Sequence, residues 1–137
     1  MDTATLLQAI YKAYRENRLA DMMAYLDEDF CYVLHLPEEA VPGGDTPRDK
    51  AGTLEVLEYV HQTYEFLSFD PGPIIATDDR ARVQPLVRLR DKRTGKVLET
   101  KLTHTWRVKD GKGLELDERH DLPKIEAFLK SVAESDT

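Results

Sequence analysis

A single cysteine, Cys31, stands among the 137 residues, so no intrachain disulfide can form and a reducing, cytoplasmic setting is expected. Long apolar runs are missing as well. The start, MDTATLLQAIYKAYREN, lacks the basic region and apolar core of a signal peptide and reads instead as an amphipathic helix. Positive charge is in deficit: 19 Lys and Arg face 26 Asp and Glu, for a net charge of −7. That balance repels phosphate backbones and anionic lipid, so neither nucleic acid nor membrane is expected as a partner. The one basic cluster, RLRDKRTGK (88–96), surrounds a turn and is most simply a solvated hairpin. No serine elbow, Walker loop or dinucleotide fingerprint occurs, and the four histidines and Cys31 lack metal-ligand spacing. No cofactor and no metal are therefore expected.

What remains is an ordinary globular composition, with 41% hydrophobic and 33% charged residues, which argues against disorder. Its length suits a single domain over 1–137. Leu7, Ile10 or Tyr11, and Tyr14 form a helical stripe with Thr3 as N-cap, and LADMMAYL (19–26) makes a second short helix. After the acidic interruption at 27–29, FCYVLHL (30–36) reads as a strand. The stretch 37–47 is a loop rich in proline and glycine. A third helix then opens at Thr46-Pro47 and runs to about Phe66, with Leu54, Leu57, His61 and Tyr64 on one stripe.

From Pro73 the pattern changes to strands. PIIAT is short, and ARVQPLVRLRD and KVLETKLTHTWRVKD flank the RTG turn as a long antiparallel hairpin. Pro85 cannot donate to a ladder, so an edge position or a bulge is expected there. DGKG (110–113) makes the next turn, LELDERH the final strand, and Asp121 caps a last helix to about Val132. Helices come first and antiparallel strands later, which is an α+β layout.

Alternation sorts the last two strands. Leu114, Leu116, Glu118 and His120 share the apolar face of one; Leu102, His104, Trp106 and Val108 share that of the other. A three-residue loop pairs Lys109 with Gly113, Val108 with Leu114, Trp106 with Leu116 and His104 with Glu118. Arg107 then meets Glu115 on the outer face. A buried imidazole and carboxylate at that separation tune each other, and burial is expected to raise the carboxyl toward neutral pH. They are either a general acid/base pair or a satisfied polar pair without chemistry.

WRVKDGKGLELDERHDL (106–122) resembles the aromatic–Arg–hydrophobic–x–Asp–Gly–Lys–x–x–Glu hairpin of the nuclear transport factor 2-like superfamily, and within it the SnoaL-like polyketide cyclases. LLQAIYKAYRENRLADMMAYLDEDFCY (6–32) and PRDKAGTLEVLEYV (47–60) are similar to that family's opening helices. The resemblance implies a cone: a strongly bent antiparallel or mixed sheet wrapped around three N-terminal helices, a cystatin-like roll with a short C-terminal helix. It also implies a ligand cavity and a homodimer through the outer sheet face. In the cyclases an acid on the final strand handles the substrate's proton; Glu118 falls there, one methylene longer than the family's aspartate. Similarity to the ketosteroid isomerase branch is poorer, because Leu34-His35-Leu36 stands where that branch needs a basic aspartate.

These readings lead to a cofactor-independent enzyme of the cyclase, isomerase or dehydratase kind, acting on a small apolar or polyketide-like molecule. Glu118 and His104 are its expected catalytic pair. Tyr11, Tyr14, Tyr32 and Trp106 are expected in the substrate site, as are Leu57, His61, Tyr64, Leu116 and His120. The rival is a non-catalytic ligand-binding or dimeric assembly module on the same fold. His120 also suits a helix contact beside Asp121, Cys31 reads as packing, and His35 is open to either face.

Overall fold

The computed structural model describes residues 1–135. Its order is α1 (Thr3–Arg15), α2 (Leu19–Ala24), β1 (Leu26–Val33), α3 (Lys50–Thr63), β2 (Tyr64–Asp70), β3 (Ile74–Ala76) and β4 (Arg80–Val83). Then follow β5 (Leu86–Asp91), β6 (Val97–Lys101), β7 (Thr103–Lys109), β8 (Lys112–Arg119) and α4 (Leu122–Glu134). The layout is α+β, and no helix among the described residues is long and apolar enough to cross a membrane.

α1 buries Leu6, Leu7, Ile10 and Tyr11, spaced to share one face of a 3.6-residue helix. Its N-cap is Asp2, whose carboxylate accepts from Thr5 N–H. Thr3, expected as the cap, is already helical and donates its hydroxyl to Asp78 O instead. α3 likewise starts later than Thr46-Pro47: Asp49 is its cap, accepting from Gly52 N–H. The residues before it are held otherwise, because Arg48 exchanges both backbone hydrogen bonds with Tyr32, each of 2.8 Å. That bridge ties the 37–48 loop against β1.

The helix also ends sooner. Tyr64 opens β2 and is no part of α3, and this strand was not expected at all. YEFLSFD puts aromatic residues at positions that fit both periods, and pairing with β5 decides for strand. β1 begins at Leu26, earlier than Phe30; the acidic triplet Asp27–Asp29 sits within it as an irregularity in its pairing with β8.

Two sheets are formed, β1-β8-β7-β4-β3 and β2-β5-β6. They are continuous through the long hairpin: Leu86 pairs with Lys101 on one side of the break and Val83 with His104 on the other, with no change of register. The break falls at Pro85 opposite Leu102, where Pro85 O accepts Leu102 N–H at 2.9 Å. Pro85 lies at neither an edge nor a bulge. It is fully buried at the bend, where its missing N–H removes one rung and lets the sheet fold over. β8 is interior to its sheet, antiparallel to β7 and parallel to β1, so the curled sheet is mixed.

The β7–β8 turn is tighter than a three-residue loop. Lys109 pairs with Lys112 across Asp110 and Gly111, both with positive φ (51° and 73°), as a two-residue primed turn requires. Val108 then faces Gly113, and Leu114 is the extra residue of a bulge that restores Arg107 to Glu115, Trp106 to Leu116 and His104 to Glu118.

Candidate functional site

Glu118 is buried, and its two oxygens have different surroundings. Oε1 accepts from Tyr32 Oη at 3.0 Å and lies 2.8 Å from His104 Nε2. Oε2 has His120 Nε2 at 3.1 Å, without hydrogen-bond alignment, and no hydrogen bond to it is found among the described residues. A chain of contacts leads away from Oε1. His104 Nδ1 is 2.6 Å from Tyr11 Oη, which accepts the indole N–H of Trp106 at 2.9 Å. Because an indole nitrogen only donates, Tyr11 receives that bond and its own proton is free for His104 Nδ1. Nε2 then carries the imidazole proton and donates to Glu118. The acceptor-only carboxylate fixes that tautomer, and the indole bond leaves the Tyr11 proton for Nδ1.

Burial by itself would raise the Glu118 carboxyl, and this was the expectation. The opposite holds: the interactions with His104, hydrogen-bonded to Oε1, and with His120 beside Oε2 outweigh burial and hold the group well below the ordinary carboxylate range. The nearby phenols move the other way. Burial, reinforced by the negative Glu118, pushes Tyr11, Tyr14 and Tyr32 up, so all three keep their protons. Tyr64 is raised to about 12, mainly by partial burial.

This group forms the polar end of a cavity of about 130 Å³ inside the cone. Ile10 of α1, Leu57 of α3, Leu98 of β6, Leu116 of β8 and Phe128 of α4 make most of its wall apolar. Among the described residues no group of three His, Cys, Asp or Glu side chains could hold a metal ion.

A family model for the SnoaL-like domain matches residues 7–116. The chain belongs to that family. No curated protein matches it in sequence. Among solved structures, TerC co-crystallised with polyporic acid is similar at 20% identity, covering 93% of this chain and 97% of that one, with a TM-score of 0.80. IdmH, a proposed polyketide cyclase from Streptomyces antibioticus, is similar at 21% identity over 93% and 97%, with 0.74. A proposed isomerase from Rhodopseudomonas palustris follows at 14% identity over 90% and 92%, with 0.77. At these identities the likeness is one of fold. The matched stretch of the SnoaL-like domain stops at Leu116, two residues short of Glu118.

In this SnoaL-like domain the cavity brings together Glu118, His104, Tyr11, Tyr32, Trp106 and Leu116. Tyr14, Leu57, Tyr64 and His120 also reach its wall. His61 does not. Its ring packs 5.3 Å from those of Tyr14 and Phe66 on the far side of Tyr14, and its buried Nε2 has no partner among the described residues. His120 turns inward beside Glu118, while Asp121 alone caps α4 by accepting from Lys124 N–H. His35 takes a left-handed conformation (φ 50°) and pairs with Asp117 at 2.9 Å on the other side of the sheet. Cys31 is partly buried, and burial raises its thiol. The cavity residues that sequence reasoning did not assign to the site include Ile10, Leu98 and Phe128 and one polar residue of note: Thr100, buried on β6, whose hydroxyl has no partner among the described residues. Its signal was there, a lone polar residue alternating with Leu98 and Leu102 on an inward face.

Proposed function

We propose that this SnoaL-like protein is a cofactor-independent enzyme of the isomerase, cyclase or dehydratase kind, moving a proton on a small apolar molecule. The observation that carries the reading is the division of labour within Glu118. Oε1 is occupied by Tyr32 and His104, while Oε2 keeps its lone pairs at the end of an apolar cavity. Glu118 Oε2 takes the substrate's proton as general base. His104, locked in orientation by Tyr11 and Trp106, holds the carboxylate in place and answers its change of charge. The fold shared with a proposed polyketide cyclase and a proposed isomerase supports the same chemistry.

A second reading, a non-catalytic ligand-binding module, draws on one observation: a carboxyl held so far below its usual range has little affinity for a proton. The two part on Glu118→Gln. Ligand that co-purifies with the protein is identified by mass spectrometry and its conversion followed. The enzyme reading expects the variant, still folded and still binding, to lose turnover by at least a hundredfold. Unchanged turnover, or no conversion by the parent protein, counts for the binding module. The proposal includes a cytoplasmic homodimer joined through the outer sheet face, and the exposed Ile75, Leu86 and Val97 on strands supply apolar surface for it. Sedimentation velocity checks the dimer.

A further inference from the structure

Two side chains of the cavity wall, Thr100 and His120, each carry a buried polar atom without a hydrogen-bond partner among the described residues. Thr100 is 3% exposed, and its hydroxyl bonds to no atom of the described residues. His120 has a side chain 5% exposed; its Nε2 stands 3.1 Å from Glu118 Oε2, and its Nδ1 has no hydrogen-bond partner among the described residues. Buried polar atoms are ordinarily satisfied, and two orphans facing one apolar cavity ask for oxygen atoms from a ligand. Their spacing limits that ligand. Arg119 pairs with Thr103, so His120 lies just past the level of Leu102, and Thr100 is two residues further along the same bent strand. Two residues of strand span roughly 7 Å and adjacent strands lie about 4.8 Å apart, so the two backbone positions are roughly 8 Å apart, room for a six-membered ring with substituents at opposite ends. The volume agrees. At about 130 Å³ the cavity is close to the ~150 Å³ that admits benzene. Charge matters too: the buried carboxylate repels anions, and its two imidazoles already answer its own charge.

We propose that the cavity takes a neutral molecule of about one ring with two oxygen functions, one bound by His120 beside Glu118 and the other by Thr100. The inference rests on the proton-transfer reading only for placing the reacting carbon at Glu118 Oε2; the two contacts stand on the cavity alone. The site is thus too small for fused polycyclic substrates, and Thr100 sets its preference for a second oxygen.

The full-length protein is titrated with cyclohexanone, cyclohexane-1,4-dione and the three-ring ketone 9-fluorenone, with binding read by calorimetry and ligand-observed NMR. The dione is expected to bind at least tenfold more tightly than cyclohexanone, and fluorenone not to compete. Thr100→Val brings the dione down to the level of cyclohexanone, whose own affinity changes less than twofold, and Thr100→Ser restores the preference. Equal affinity for the two one-ring ketones, indifference of the dione to Thr100→Val, or competition by fluorenone would each overturn the proposal. Exchange of the dione's α-hydrogens in D₂O, compared with Glu118→Gln, tests the reaction separately. Dione preference without Glu118-dependent exchange supports the two-oxygen site and counts against the enzyme; exchange without dione preference does the reverse.

Discussion

Gly113 is pressed against Trp106: a Cβ at this glycine would stand 3.1 Å from Trp106 Cζ3 and 3.1 Å from Leu26 Cδ2. Both neighbours are essentially inaccessible to solvent and packed on every side, so neither can yield. The same glycine precedes the bulge that sets His104 against Glu118. Gly113→Ala is therefore expected to cost about 1–3 kcal/mol through overpacking, read as a lowered urea midpoint. Because Trp106 orients Tyr11, the variant should also broaden the NMR signals of the His104 ring. An unchanged midpoint would mean that the indole can move.

Tyr11 and Tyr32 both reach the acid network, but with unequal consequences. Tyr11 Oη serves two buried groups, Trp106 Nε1 and His104 Nδ1, and its removal strands both. Tyr32 Oη donates to Glu118 Oε1, which keeps His104 when the phenol is lost. Tyr11→Phe is expected to cost about 2–4 kcal/mol and Tyr32→Phe about 1 kcal/mol in chemical denaturation. The reverse ranking would refute the assigned direction of the Trp106–Tyr11–His104 chain.

The pairing of His104 with Glu118 was legible because Trp106 opposite Leu116 fixes the strand register there, and a slip of one rung would have put Leu116 opposite Thr105. The turn was not. Asp110 adopts a left-handed conformation that a sequence assigns more readily to the glycines beside it, and the bulge at Leu114 then hides the error beyond Val108. The end of α3 was obscured by Tyr64 and Phe66, which suit helix and strand alike. The charge state of Glu118 was beyond reach for another reason: burial and the contacts with His104 and His120 push the group in opposite directions, with no sequence signal of which prevails.

His61 offers a test outside the cavity. Partial burial, aided by the charge of Lys92, lowers its pKa below the ordinary 6.5. A histidine lowered on folding is neutral in both states above 6.5, and below that value the unfolded chain takes up the proton more readily. Wild-type stability should therefore decline as pH falls from 7 toward 5. His61→Phe keeps an aromatic ring against Tyr14 and Phe66, removes the unpartnered nitrogen, and should flatten that part of the profile without loss of stability at pH 7. Thermal midpoints of the two proteins across this range decide it; parallel curves would rule out His61 as the titrating group.

Glu118 governs a lower window. Its folded pKa is depressed from 4.5, so its contribution is fully present above 4.5 and is lost as pH falls below that value toward the folded one. While the unfolded chain binds one proton more than the folded one, the slope approaches about 1.4 kcal/mol per pH unit. Asp117 is also held low, although its partial burial opposes this, because His35 and Arg119 hydrogen-bond to it. The wild-type slope is therefore shared, and only its difference from Glu118→Gln isolates Glu118. That variant should be less stable than wild type at pH 7, since a buried anion with three partners is replaced by a neutral amide, and the gap should narrow steadily as pH falls below 4.5. A gap that stays constant with pH would show that folding leaves the Glu118 pKa unshifted. A wild type that loses stability relative to the variant as pH rises above 4.5 would show that the carboxyl is protonated in the folded protein, so that the carboxylate proposed as general base is absent.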